Sequence, residues 1–206
     1  YLETHYDALA KHSFQKGDLQ VDVLLTGVGM TATAFALGQY LATAQPSLLL
    51  NAGTAGAFDR DIPLGTVLNV VSERFADLGV ETATGSFTDV HELGLVGADD
   101  FPFQQGLLQN EAGKQYAFLP QVSGLTVNKV HGFPQSIERL QTKYAVAVET
   151  MEGAAVFYAC LLAKVPFLQI RSISNYVEAR NKANWKIPLA IERLNQVLLE
   201  MLQTFE

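Results

Sequence analysis

A strand, turn, helix, strand pattern near the start of the chain constrains the fold more than any other feature. Residues 19–25 form an apolar, β-branched run that breaks at Gly27-Val28-Gly29. Residues 30–44 carry apolar side chains at helical spacing, Pro46 stops that helix, and Leu48-Leu49-Leu50 opens a second buried run. This is the pattern of a parallel βαβ unit, whose sheet must be covered on both faces. The alternation continues, with strands predicted at 67–71, 121–127, 145–148 and 166–173. Helices are predicted at 134–143, 153–163 and about 188–202. The reading is therefore α/β: a single domain with a central, mostly parallel, twisted sheet flanked by helices on both faces. Residues 77–115 depart from it, being rich in Gly, Asp and Thr with isolated Phe87, Phe101 and Phe103. They read as a long excursion of the kind that covers a site.

Composition removes several classes of function. The net charge is -7 and the 14 basic residues are scattered, whereas a nucleic-acid partner needs clustered Lys and Arg. Cys160 is the only cysteine, so it is read as a small core residue and not as a nucleophile or ligand. His5, His12, His91 and His131 have no metal-ligand spacing, and no Gly-x-Ser-x-Gly elbow is present. No metal or cofactor is expected. No apolar run approaches the roughly 18 residues of a membrane span, and residues 1–16 do not read as a signal peptide, so a cytoplasmic location is predicted. Residues 1–11 look like the end of an amphipathic helix, and the chain opens at Tyr1 without Met.

Four segments carry possible chemistry. Gly27-Val28-Gly29 between strand and helix suits an anion at a helix N-terminus, although taken alone a plain tight turn explains it better. Asn51, Ala52, Gly53, Thr54, Ala55 and Gly56 are six small residues after a buried strand. A turn needs only one or two glycines, so this run reads as a floor on which a flat ligand can lie. Met151 and Glu152 precede an apolar helix. Glu152 is either a helix-end carboxylate or an acceptor for vicinal sugar hydroxyls. Residues 171–175, Arg-Ser-Ile-Ser-Asn, end the strongest strand, where α/β enzymes place polar groups. Strict alternation sends Arg171, Ile173 and Asn175 to one side and Ser172 and Ser174 to the other.

In this order and at this spacing, with Asn175 following Glu152 by 23 residues, the segments resemble the nucleoside phosphorylase and nucleosidase superfamily, and within it the hydrolytic branch. Residues 58–65, 125–132, 173–178 and 185–190 are similar to the futalosine hydrolase subfamily. The resemblance implies a nucleoside phosphorylase-like fold, no cofactor, a small nucleoside and water as partners, and a homodimer or higher homo-oligomer. It implies hydrolysis of futalosine to release hypoxanthine, a step of menaquinone biosynthesis. On it, Glu152 and Met151 hold the ribose, Val130 packs near the purine, and Asn51 to Gly56 line the site. Ser174 and Asn175 meet the base, and the 77–115 excursion, through Phe101, shapes the 5′ pocket. Asn175 stands where adenosine-type nucleosidases are expected to have Asp. An amide cannot act as a general acid, but it pairs with the edge of a 6-oxopurine. The family's water-activating Glu is expected upstream of Tyr1, and Glu3 does not take that role.

Three alternatives stay open: a methylthioadenosine/adenosylhomocysteine nucleosidase, a phosphorolytic purine nucleoside phosphorylase, and a non-catalytic nucleoside-binding module. Phosphorolysis needs several basic groups, and only Arg60, flanked by two Asp residues, lies near the glycine loops.

Overall fold

The computed structural model describes residues 2–10, 12–116 and 118–205. A one-turn helix α1 (Leu2–His5) is followed by β1 (Asp7–Ala10), β2 (Ser13–Lys16) and β3 (Leu19–Asp22). These strands form a separate antiparallel sheet. Helix α2 (Met30–Leu41) leads to β4 (Leu49–Ala57) and β5 (Val67–Glu73). Two hairpins follow, β6 (Gly79–Glu81) with β7 (Phe87–Asp89), and β8 (Phe103–Gln104) with β9 (Leu107–Gln109). Then come α3 (Glu111–Lys114), β10 (Gln121–Thr126), α4 (Pro134–Tyr144), β11 (Val148–Thr150), α5 (Gly153–Ala163), β12 (Phe167–Tyr176) and α6 (Ile187–Phe205).

The central sheet runs β10-β11-β4-β12-β5-β9-β8, and β5 also pairs with β10. Five strands therefore close into a ring, filled by Ala55, Ala57, Leu68, Val70, Val148 and Ile173. The α/β class and the helices on both faces stand. The sheet is mixed: β10–β11, β10–β5 and β12–β4 are parallel, while β11–β4, β12–β5, β5–β9 and β8–β9 are antiparallel. Helix α6 covers Leu168 and Ile170 through Leu194 and Met201. Leu140 of α4 covers Phe58, Leu125 and Val127. Helix α5 is apolar all round, which suits only a buried helix, and Phe157 packs edge-on against Phe167 with ring centroids 4.7 Å apart. Burial pushes the Cys160 thiol up to about 12, which leaves it an inert core group.

Three expectations are corrected here. The first βαβ unit does not form, because Leu19–Asp22 pairs antiparallel with Ser13–Lys16 and Val23 to Gly27 join no strand. The cause is a two-residue Gly17-Asp18 turn with Gly17 at φ 59°, which folds the chain back as a hairpin. Of the helix read over residues 1–11, only Leu2–His5 is helical and Asp7–Ala10 is a strand; Tyr1 and Lys11 lie outside the described residues. The 77–115 excursion contains two hairpins and α3, and β9 joins the central sheet on β5.

Candidate active site

Glu152 is the N-cap residue of α5, yet its side chain does not cap that helix. Its Oε1 accepts the backbone N–H of Gly29 at 2.9 Å, at the start of α2. Gly27 and Gly29 have φ of 84° and 89°, a backbone that residues with a Cβ rarely adopt. The glycine turn thus serves an anion, as its position suggests, and that anion is the chain's own carboxylate. Oε2 of Glu152 has no hydrogen-bond partner among the described residues.

The N-terminus of α5 does not rely on Glu152. Gly153 N–H donates to Thr150 Oγ1 at 3.2 Å and Ala154 N–H to Thr126 Oγ1 at 2.7 Å. Threonines at the ends of two neighbouring strands therefore take up donors that a helix start leaves over, and Glu152 is free to point elsewhere.

Arg171 lies beside Glu152 and is 2 % exposed. Burial lowers its pKa from the ordinary value, while the charges of Glu152 and Glu73 oppose that shift. Its Nε and Nη2 are buried without a hydrogen-bond partner. Unmet donors on a buried cation are costly, so they mark a place where a polar group of a ligand or a water is required. Room for the guanidinium comes from Gly53, its neighbour across β4, where a Cβ would stand 2.5 Å from Nη1.

Behind Arg171 runs a buried polar relay. Thr126 donates to Glu73 Oε2 at 2.9 Å, Gln169 donates to Glu73 Oε1 at 2.6 Å, and Asn51 donates to Gln169 at 2.7 Å. Burial raises the Glu73 pKa from 4.5 to about 7, against the lowering pull of these hydrogen bonds and of Arg171. The folded chain therefore holds a proton that the unfolded chain has lost between 4.5 and about 7. The stability it provides is complete below the unfolded value and disappears as pH rises through the folded one. The loss by about pH 8 is on the order of 3 kcal/mol. Glu73→Gln, isosteric with the neutral acid, should flatten this decline in urea unfolding at about pH 5 and about pH 8. A decline as steep as the parent's would refute the assignment.

At the other end of β12 the register with β4 slips between Ile173 and Asn175. Ile173 pairs with Ala55 and Asn175 with Gly56. Adjacent β4 residues face opposite ways, so Asn175 lies on the face opposite Ile173 and Arg171, not with them as strict alternation predicts. The bulge also brings neighbouring side chains together, with Ser174 Oγ donating to Asn175 Oδ1 at 2.8 Å. Asn175 Nδ2 donates to Tyr176 O at 3.0 Å.

Asn51, Ala52, Gly53, Thr54, Ala55 and Gly56 all lie within β4, not in a loop after it. They are spread along the strand: Asn51 meets Gln169, Gly53 clears Arg171 and Gly56 clears Asn175. Met151 and Glu152 sit between β11 and α5. Val130 is 45 % exposed on the loop after β10, and Phe101 is 68 % exposed. Phe103 is the aromatic of the excursion that packs inward, 5.9 Å from Tyr158 and 6.4 Å from Phe75. Tyr158 and Phe75 border an apolar cleft of about 680 Å³ between α2 and α5. That cleft meets the polar site at Met30, next to Gly29. Among the described residues no group of three His, Cys, Asp or Glu is placed to hold a metal, and no helix is long and apolar enough to cross a membrane.

Sequence reasoning did not select Arg171 or Glu73 as site residues. An arginine inside the Phe167–Tyr176 strand, four residues before Asn175, is the available signal for the first. Glu73, at the end of an apolar strand, looks like an ordinary polar exit.

Residues 1–203 match the phosphorylase superfamily. A futalosine hydrolase of Thermus thermophilus is 31% identical over 87% of this chain and 80% of that protein. A 5'-methylthioadenosine/S-adenosylhomocysteine nucleosidase of Colwellia psychrerythraea is 28% identical over 94% of this chain and 84% of its own length. The crystal structure of a nucleosidase of that name from the same organism, in complex with adenine, superposes with a TM-score of 0.73 at 21% identity, covering 93% of this chain and 81% of that one. Fold, residue order and relatives agree, and the chain belongs to the phosphorylase superfamily.

Proposed function

We propose that this chain hydrolyses the N-glycosidic bond of futalosine and releases hypoxanthine. The chain is an N-glycosyl hydrolase with nucleosidase activity, in keeping with its superfamily and its relatives. The finer reading rests above all on Asn175. One hydrogen of its amide is held by Tyr176 O and its oxygen by Ser174. The second Nδ2 hydrogen is left for N7 or O6 of a purine, where it stabilises the charge that builds as the base departs. An amide cannot supply the proton that an adenine leaving group is expected to receive. A 6-oxopurine gains more from hydrogen bonding alone.

In this reaction the C1′–N9 bond stretches, positive charge builds on the ribose ring, and water attacks C1′. The unpaired Oε2 of Glu152 accepts from the vicinal hydroxyls, and the carboxylate offsets the developing cation. The free donors of Arg171 hold the oxygen of the incoming water or a hydroxyl near that carboxylate.

A methylthioadenosine/adenosylhomocysteine nucleosidase is the second reading, favoured by the 94% of this chain that the Colwellia relative covers. Hypoxanthine release from futalosine in phosphate-free buffer, with methylthioadenosine and inosine as competitors, separates the two. Release from futalosine alone supports the proposal. Cleavage of methylthioadenosine at a comparable rate rejects it.

A further inference from the structure

A second acid and a histidine stand near Asn175, and the mechanism above uses neither. Glu149, in β11, is buried, and its Oε1 accepts the backbone N–H of His131 at 3.1 Å. Its Oε2 is 2.5 Å from His131 Nδ1. Across the sheet, Leu125, Glu149, Gly56 and Asn175 form one register row through β10, β11, β4 and β12. Paired residues point to one face, so Glu149 and Asn175 flank the bare backbone of Gly56. Two strand spacings put their Cα atoms about 10 Å apart. A Cβ on Gly56 would stand 3.0 Å from Val177 Cγ2 and 3.3 Å from Asn175 Nδ2, so the glycine lets both side chains close on the strand there. The loop carrying His131 closes toward the end of β12, since a Cβ on Gly132 would lie 3.7 Å from both Arg180 N and Glu178 O.

We infer that His131, oriented by Glu149, reads the N1 edge of a 6-oxopurine whose opposite edge meets Asn175. The inference rests on the proposed purine site. Glu149 only accepts, so a neutral His131 carries its proton on Nδ1 and leaves a lone pair on Nε2. Nε2 has no hydrogen-bond partner among the described residues. A hypoxanthine base carries a hydrogen on N1, which Nε2 accepts. Adenine presents a lone pair there, and the two acceptors repel. Glu149 is thus a positioning residue that sets specificity through the tautomer of His131.

This makes a prediction that a purely structural role does not. In Glu149→Gln the amide oxygen must still take the backbone N–H of His131, so the amide NH₂ faces Nδ1. The ring then moves its proton to Nε2, which becomes a donor, suited to adenine and opposed to hypoxanthine. Calorimetric binding of free hypoxanthine and free adenine to the intact protein should show a preference for hypoxanthine. In Glu149→Gln that preference should shift toward adenine by about 10- to 100-fold. His131→Leu, checked for folding by thermal melting, should weaken hypoxanthine by about 10-fold or more and spare adenine. Equal weakening of both bases in the two variants would overturn the inference. Failure of the parent to bind either base would overturn both the inference and the proposed function. A shift in base preference without futalosine hydrolysis would keep the inference and reject the proposed function.

Discussion

Glu152→Gln should reduce kcat on the nucleoside substrate by about 10²- to 10³-fold while the protein stays folded. The amide oxygen still accepts the Gly29 N–H that docks this side chain on α2, so the local backbone is retained. On the proposed reaction, what is lost is the negative charge opposite the ribose as it becomes cationic, and one acceptor for the paired hydroxyls. These interactions strengthen in the transition state, so kcat and kcat/KM should fall together. Steady-state kinetics with a thermal melt of each protein decides it. A defect confined to KM would mean that Glu152 binds ground state and transition state alike and is not part of the chemistry.

Gly53→Ala should be nearly as damaging to activity, although Gly53 need never touch the ligand. A methyl group there would stand 2.5 Å from Arg171 Nη1, and the buried guanidinium must move. Overpacking of this kind costs about 1–3 kcal/mol. It also displaces the unpaired Nε and Nη2 of Arg171. Chemical denaturation and turnover should both fall in the single variant. In an Arg171→Met background the same glycine change should be close to neutral, and the coupling between the two positions is the deciding quantity. Simple additivity would return Gly53 to the role first read from the sequence, clearance for a flat ligand.

The two roles of Gly53 show what the sequence makes legible. A run of six small residues signals that something must come close, but not what. In β4 the clearances serve Arg171 at Gly53, and Val177 with Asn175 at Gly56, each set by partners more than a hundred residues away. Helix α5 is readable because its burial is written into an unbroken apolar stretch, and strand β12 because Phe167, Leu168, Ile170 and Ile173 follow Pro166 in a short β-rich run. The bulge at Ser174 was not, since nothing local separates a register slip from strict alternation, and the slip decides which face Asn175 occupies. The Gly17-Asp18 turn is a local signal that the apolar run after it masks. Glu73 escapes notice because its raised pKa comes from burial, which strands β10 and β12 and helix α5 create together.

Closure of the five-strand ring has a consequence for when the site comes into being. Strand β12, which carries Arg171 and Asn175, is the last strand of the chain and lies between β4 and β5, both made far earlier. Until it inserts, those two strands have no common neighbour at that seam, Gly53 and Gly56 have nothing to clear, and Glu73 has its Thr126 hydrogen bond but neither Gln169 nor Arg171 beside it. Pairings so distant along the chain form late and slowly. A nascent or partly folded chain therefore holds the floor of the pocket and Glu152 without Arg171 and Asn175, and competence for turnover arrives with the final strand.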